Sequence, residues 1–401
     1  MSNRWPLKRL GDLAIVQSGG TPLRSITQYW ESGSIPWYSS GELNSLLTTT
    51  PERHITSGGL SNSNAKLFPK GSLLIGMYDT AALKMSILDR DATFNQAIAG
   101  VKPDPKFDLI YVMHAINSIK PILLNERRGV RQKNLSLEKI KDISIPFPPL
   151  SEQKRIVAIL DGAFSGIARA KEIAEKNLVN TRQIFESYLN NIFMHPGNDW
   201  QFCSLEDNVR FIDYRGRTPE KTDKGVRLIT AKNVKLGYLQ YAPEEFIAAE
   251  NYKAWMTRGI PNYGDIIFTT EAPLANVAQI ETNEKLAFAQ RIIVMQPQKE
   301  ILEQAFLKYL LLSSPIRKKI IEKGTGATVQ GIKSRLLKKV EICFPKSLSK
   351  QKDIVVRLNS LRTHVSELEN VYTKKILGLD EFKNSLLHQA FSGALTKGFA
   401  S

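Results

Sequence analysis

The sequence predicts a mixed α+β protein: two pseudo-repeated globular domains separated by an intramolecular antiparallel coiled coil of two long helices. Three observations predict it. The chain is written twice, each copy mixes short β-like runs with helical stretches, and each copy closes on a proline-free heptad pattern. A length of 401 residues suits two domains, each large enough to bury its own core.

The duplication rests on markers that keep one order. Trp5, Leu10 and Asp12 recur as Trp200, Leu205 and Asp207, and Gly19-Gly20-Thr21-Pro22 recurs as Gly216-Arg217-Thr218-Pro219. Gly71 opens GSLLIGMYDTAALKMSIL where Gly264 opens GDIIFTTEAPLANVAQI, and Asn95-Gln96 is matched by Ala289-Gln290. The run from Val130 to Leu135 is answered by Thr328 to Ile332, and ISIPFPPLSEQKRIVAIL by VEICFPKSLSKQKDIVVRL. The offset stays near 195 residues, which is a domain period and not a solenoid repeat.

Within each copy, LLIGM, VEICF, DIIFTT and IIVMQ read as strands, while LIYVMHAINSI and QAFLKYLLLSS read as helices. Proline after Phe147 and Phe344 stops the last strand, and Ser151 and Ser349 are the expected N-caps of the helices that follow. This gives four segments: a first domain at 1–150, a first helical region at 151–197, a second domain at 198–347, and a second helical region with tail at 348–401.

In the first helix one seam holds Val157, Phe164, Lys171, Leu178, Phe185 and Ile192, and the other Leu160, Ile167, Ala174, Thr181 and Tyr188. In the second the seams are Ile354, Leu361, Leu368, Lys375, Phe382, Gln389 and Leu358, Val365, Tyr372, Leu379, Leu386. A narrow apolar stripe over five heptads is a coiled-coil signal, with packing along one domain as the competing reading. Antiparallel pairing of roughly 40 helical residues spans about 60 Å, under two repeats of the 34 to 36 Å spacing that dimeric readers of B-DNA use. Such helices act as a ruler between two similar heads. Adding one heptad to both is expected to move the preferred half-site spacing in a selection from random DNA; unchanged spacing would sink the idea.

Composition narrows the partner. Lys and Arg number 55 against 39 Asp and Glu, a formal charge of +16. Such a surface attracts polyanions, and basic residues cluster in Gly-containing loops such as Arg127 to Lys133, so double-stranded DNA is the expected partner; charge kept for solubility is the alternative. The sequence offers no apolar span and no signal peptide, so the expected place is the cytoplasm, with no membrane partner. Cys203 and Cys343 stand far apart and read as small core residues at strand edges, and the five histidines form no HExxH pair, so no metal is expected.

Catalytic constellations are missing from the sequence. It holds no GxxxxGK[ST] loop, GTGATVQG does not fit GxGxxG, and PFPPL lacks the Asn or Asp that an amino-methyltransferase motif would carry. Glu152-Gln153-Lys154 and Glu381-Phe382-Lys383 match a nuclease-like triplet, but they fall on the predicted helices, where solvated charges are ordinary.

This order of features resembles the specificity (S) subunit of type I restriction-modification systems. The resemblance covers nearly the whole chain through WPLKRLGD, the Gly-Gly-Thr-Pro turn, Asn95-Gln96, PFPPLSEQKRIVAILD and the closing LLHQAFSGALTKGF. The second copy departs from it at KSLSKQKD and at Ala289. The resemblance implies two target-recognition domains that read a bipartite, asymmetric DNA sequence. It also implies two methyltransferase (M) subunits docked on the helices, restriction/translocase (R) subunits, and no catalysis or cofactor in this chain. S-adenosylmethionine, ATP and Mg are then expected in the partners. A methylation-only or fused-partner system, a DNA-independent protein scaffold and an enzyme with an unfamiliar site are the alternatives.

Guanine favours Arg or Lys, adenine favours Asn or Gln, and phosphates accept cations and hydroxyls. The candidate contacts of the first head are therefore Thr21, Arg24, Tyr78, Lys84, Arg128, Arg131 and Lys133. Those of the second are Arg215, Arg217, Thr218, Lys232, Asn233, Gln330 and Lys333, with the stretch from Thr270 to Asn276. Trp37 and Tyr38 read as core residues or as stacking platforms.

Overall fold

A computed structural model describes residues 5–78, 81–125, 135–214, 216, 218–326 and 330–396. The chain divides into two compact units, residues 1–174 with 374–401, and residues 175–373.

Unit 1 runs β1 (Leu7–Arg9), α1 (Leu10–Leu13), β2 (Val16–Ser18), β3 (Ile35–Tyr38), β4 (Arg53–Ile55), α2 (Ser57–Ser61), β5 (Leu73–Gly76), β6 (Met85–Ile87), β7 (Thr93–Phe94), β8 (Ile98–Val101), α3 (Leu109–Asn125), α4 (Leu137–Lys141) and β9 (Ser144–Pro146) into the long helix α5 (Leu150–Met194). The strands order as β2-β8-β5-β6, β4-β3-β7 and β1-β9, with β3 and β7 parallel. Continuous apolar runs such as Leu73–Gly76 and Ile98–Val101 are buried throughout, which is why they sit in the middle of the larger sheet.

Unit 2 repeats this plan. After β10 (Trp200–Ser204), α6 (Leu205–Asn208), β11 (Val209–Asp213), β12 (Val226–Ile229), β13 (Phe246–Ile247), α7 (Tyr252–Trp255), β14 (Ile266–Thr269), β15 (Val277–Gln279), β16 (Leu286–Phe288) and β17 (Ile292–Pro297) come α8 (Gln304–Leu312), α9 (Ser314–Glu322), α10 (Ser334–Lys338), β18 (Glu341–Pro345) and α11 (Leu348–Ser392). The strand orders β11-β17-β14-β15, β13-β12-β16 and β10-β18 are those of unit 1 shifted by nine strands. Cys203 and Cys343 lie on β10 and β18, and burial pushes both thiols up.

Each long helix gives one end to each unit. In unit 1, Ile156, Leu160 and Ile167 of α5 join Leu386, Ala390 and Phe391 of α11 in the domain core. In unit 2, Phe185, Leu189 and Phe193 of α5 join Val355, Leu358 and Val365 of α11. The start of one helix therefore packs beside the end of the other, an antiparallel pairing in both units.

Two expectations are corrected. The helices begin at Leu150 and Leu348, so Ser151 and Ser349 lie inside the first turn; in the second copy Ser347 caps, its Oγ accepting from Lys350 N at 3.5 Å. The seams also drift. Leu189 is buried where Tyr188 was expected and Tyr188 is 36% exposed, while Leu368 and Phe382 face solvent at 43% and 52%. A straight helix with 3.6 residues per turn loses about 20° per heptad against a 3.5-residue seam, so the buried stripe moves to Thr181, Phe185, Leu189 and Phe193.

Candidate nucleic-acid interface

In unit 1 the turn after β2 is fixed from three sides. Gly19 N donates to Ile98 O, Gly20 N donates to Phe94 O at 2.9 Å, and the buried Trp37 Nε1 donates to Gly20 O at 2.9 Å. A Cβ on Gly19 would stand 2.1 Å from Phe94 O, and one on Gly20 2.2 Å from the Asn64 carbonyl carbon, so close backbone approach demands both glycines. The turn sets Thr21 against the step after β7, where Thr21 Oγ1 donates to Gln96 Oε1 at 2.5 Å. Asn95 is tied inward, its N donating to Tyr38 O and its Oδ1 accepting from Ala97 N, which leaves Gln96 as the exposed residue of the pair.

Two backbone bonds bring further segments to the same place. Met77 N donates to Ala97 O at 2.9 Å, and Leu135 N donates to Met77 O at 2.8 Å. Leu135 is thereby linked through Met77 to Ala97, the residue after the Asn95-Gln96 step.

Unit 2 builds the same frame. Tyr214 N donates to Ile292 O, Ala289 N to Ile229 O, Thr270 N to Arg291 O, and Ile332 N to Thr270 O. Burial pushes the Tyr214 hydroxyl up to about 12, and it donates to Gly259 O, anchoring the strand end before the Gly216 turn. A cavity of about 270 Å³ lies among Gly216, Thr270, Glu271, Gln290, Arg291 and Lys333. Arg291 Nε lies 2.9 Å from Glu271 Oε1, a half-exposed ion pair of small energetic weight.

The sequence candidates divide accordingly. The frame brings Thr21 together with Gln96 in unit 1 and Lys333 with the Gly216 turn in unit 2, while Tyr78, next to the Met77–Ala97 bond, packs against the core; Arg24, Thr218 and Gln330 are exposed on the adjoining loops. Lys84 lies elsewhere, on a cavity of about 1030 Å³ with Asn44, His114, Lys120 and Lys383. There its Nζ donates to Asn44 Oδ1 at 3.0 Å, and burial, with Lys84 nearby, pushes the Lys120 amine down. The larger cavity is therefore not where the loops converge.

Lys232 is exposed, but Asn233 is 1% exposed with its amide fully used. Its Oδ1 accepts from Thr230 N and Oγ1, and its Nδ2 donates to Gln240 O and Pro243 O. Expected as a base-reading amide, Asn233 instead holds its own loop. Trp37 and Tyr38 are 2% and 1% exposed, core residues rather than stacking platforms. Arg128, Arg131, Lys133, Arg215 and Arg217 lie outside the described residues.

Sequence reasoning missed Gln96 and Gln290, which the frame places beside Thr21 and on the second unit's small cavity. The signal was present, since Gln is the member of the Asn95-Gln96 and Ala289-Gln290 markers that stays the same in both copies. Among the described residues no helix is long and apolar enough to cross a membrane, and no group of three or more His, Cys, Asp or Glu could hold a metal ion.

Fold and site together define a two-unit α+β protein in which one loop frame is built once in each unit and each unit packs one end of both long helices into its core. The chain belongs to the type I restriction modification DNA specificity domain family, whose description matches residues 3–177 and 198–377. It is 30% identical over 199 residues to the Escherichia coli type I restriction enzyme EcoR124I/EcoR124II specificity subunit, an alignment covering 45% of this chain and 48% of that protein. It is 21% identical to the Methanocaldococcus jannaschii MjaVIII specificity subunit, covering 98% of this chain and 93% of that one. With the first of these the shared span is thus about half of the relative's length.

The fold matches the HsdS subunit from Thermoanaerobacter tengcongensis, with a TM-score of 0.62 at 17% identity over 98% of this chain and 97% of that one. It also matches a chain solved in work on complex assembly and conformational transition of the type I R-M system, with a TM-score of 0.79 at 17% identity over 98% of both chains.

Proposed function

We propose that this chain is the DNA-reading component of a type I restriction-modification enzyme, with unit 1 reading one half of a bipartite, asymmetric target and unit 2 the other. The observation that carries this is the repeated backbone frame with exchanged side chains: Asn95 against Ala289, Ala97 against Arg291, with Thr21/Thr218 and Gln96/Gln290 kept. A shared frame with divergent side chains suits two heads that approach the same kind of ligand and read different sequences.

Thr21, Arg24 and Gln96 are the described contacts of the first head, and Thr218, Lys232, Gln290, Gln330 and Lys333 those of the second. In a selection from random DNA, Arg24→Ala or Gln96→Ala is expected to relax the first half-site, and Lys232→Ala or Gln290→Ala the second. Loss of one good base contact removes about 1–3 kcal/mol of discrimination. Equal weakening on all sequences would assign that residue to phosphate instead. Binding that is neither salt-dependent nor selective for one bipartite sequence would overturn the reading in favour of a scaffold.

Two M subunits docked on the helices would supply adenine methylation from S-adenosylmethionine, and R subunits ATP- and Mg-dependent translocation and cleavage. The purified chain alone is then expected to transfer no methyl group from labelled S-adenosylmethionine, and to direct transfer to one motif once M subunits are added. Methyl transfer by the chain alone would overturn its non-catalytic role.

A further inference from the structure

The two long helices carry a charge pattern that duplication alone does not produce. Both are 45 residues long and start at Leu150 and Leu348, so residues 198 apart hold the same place in the two copies. Gln153 and Gln351, and Phe193 and Phe391, keep their identity across that step. In unit 1, Lys171 Nζ lies 2.8 Å from both carboxylate oxygens of Asp380. In unit 2, Arg182 Nε lies 3.0 Å from Glu369 Oε1.

Position 171 corresponds to 369 and position 182 to 380. The second ion pair is therefore the first with its members exchanged, so that α5 holds the cation both times and α11 the anion both times. The neighbouring ring contacts are exchanged in the same way. Lys383 Nζ stands 5.0 Å from the Phe164 ring centroid, and Arg362 Cζ stands 5.3 Å from that of Phe185. Position 164 corresponds to 362 and 185 to 383, so both rings lie on α5 and both cations on α11.

The exchange matters when a helix meets its own copy. In an antiparallel pair of two α5 helices, Lys171 faces Arg182 twice. In a pair of two α11 helices, Glu369 faces Asp380 twice and Arg362 faces Lys383 twice. Like charges at such contacts repel by about as much as opposite charges attract. Exposed ion pairs add little to stability, but a repulsive alternative is an effective source of selectivity.

We infer that the exchanged ion pairs select pairing of the first long helix with the second and reject pairing of either with its own copy in another chain. The surface each helix presents fits the unlike helix, so two chains are kept from closing into a dimer through like helices. Every helix pair then holds one first helix and one second helix.

The test is charge exchange in the full chain. R182E/E369R keeps both pairs within the chain but makes each helix complementary to its own copy, and K171D/D380K does the same at the other pair. All four substitutions together restore the original opposition with the signs inverted. After unfolding in urea and refolding across a range of concentrations, the dimer fraction seen by sedimentation is expected to rise about tenfold or more in each double variant. In the fourfold variant it is expected to return to the parent level, a rescue that damage to folding would not show.

A second measurement reads the pairing directly. A protease site placed in the exposed residues 195–198 and cut after purification lets native mass spectrometry weigh unlike and like pairs after refolding. Like pairs are expected to increase in the double variants only. Equal dimer fractions in parent and double variants, or equal like-pair fractions in the cut proteins, would overturn the inference.

Discussion

Gln153→Leu is expected to destabilise unit 1 by about 2–6 kcal/mol, because it strands two buried polar groups at about 1–3 kcal/mol each. Gln153 is fully buried; its Oε1 accepts from Asp108 N at 2.9 Å, and its Nε2 donates to Pro148 O at 2.9 Å. One side chain thus ties the segment entering α3 to the last turn before α5, and leucine fills the space while satisfying neither end. Gln351 holds the equivalent place in unit 2, accepting from Glu303 N at 2.8 Å and donating to Ile301 O and Pro345 O. Gln351→Leu strands three groups and is expected to cost at least as much. Each kcal/mol corresponds to about 2–4 °C for a unit of this size. Hydrogen exchange around Asp108 and the start of α5 should accelerate in Gln153→Leu with unit 2 unaffected, and the reverse in Gln351→Leu. Parent-like exchange in both variants would show that the stranded groups have other partners.

These glutamines show how far the sequence was legible. PPLSEQKR and KSLSKQKD differ at half of their positions yet share the Gln that is the fourth residue of each helix, and the structure gives that residue the same job both times. The duplication, the strand runs and the two long helices could be read because each is a repeated pattern. The helix seams could not be read to their ends, since a 3.5-residue template fails once a straight helix has turned away from it; Tyr188, Leu368 and Phe382 are the result. Asn233 was misjudged for a different reason. The amide that would recognise adenine also closes a turn, and the choice depends on Thr230, Gln240 and Pro243 being within reach, which only the fold decides. Lys84 illustrates the same limit, because its distance from Thr21 in the fold is set by the pairing of β5 with β6 and not by loop composition.

Gly20→Ala is expected to abolish reading by the first head while leaving the second intact. The added methyl would lie 2.2 Å from the Asn64 carbonyl carbon and 2.4 Å from Ala65 N, both backbone atoms that cannot swing aside as a side chain could. Overpacking of this kind costs about 1–3 kcal/mol, occasionally more, and the turn must move to relieve it. Thr21 would then leave Gln96, and the loop carrying Arg24 would follow. The glycine of the second copy's turn, which stands opposite Gly19 in the repeat and not opposite Gly20, is needed for another reason. Gly216 has φ +93° with nothing within 4 Å of an added Cβ, so Gly216→Ala meets a backbone penalty of about 1–2 kcal/mol and no clash. The glycines of the two turns therefore answer two different physical demands, close backbone approach in the first and positive φ in the second. In a selection from random DNA, Gly20→Ala should return a motif degenerate in one half only. Gly216→Ala should weaken the other half more mildly, by about tenfold for each 1.4 kcal/mol that reaches binding. If Gly20→Ala instead weakened both halves equally, the turn after β2 would be a support of the whole chain and not part of one reading head.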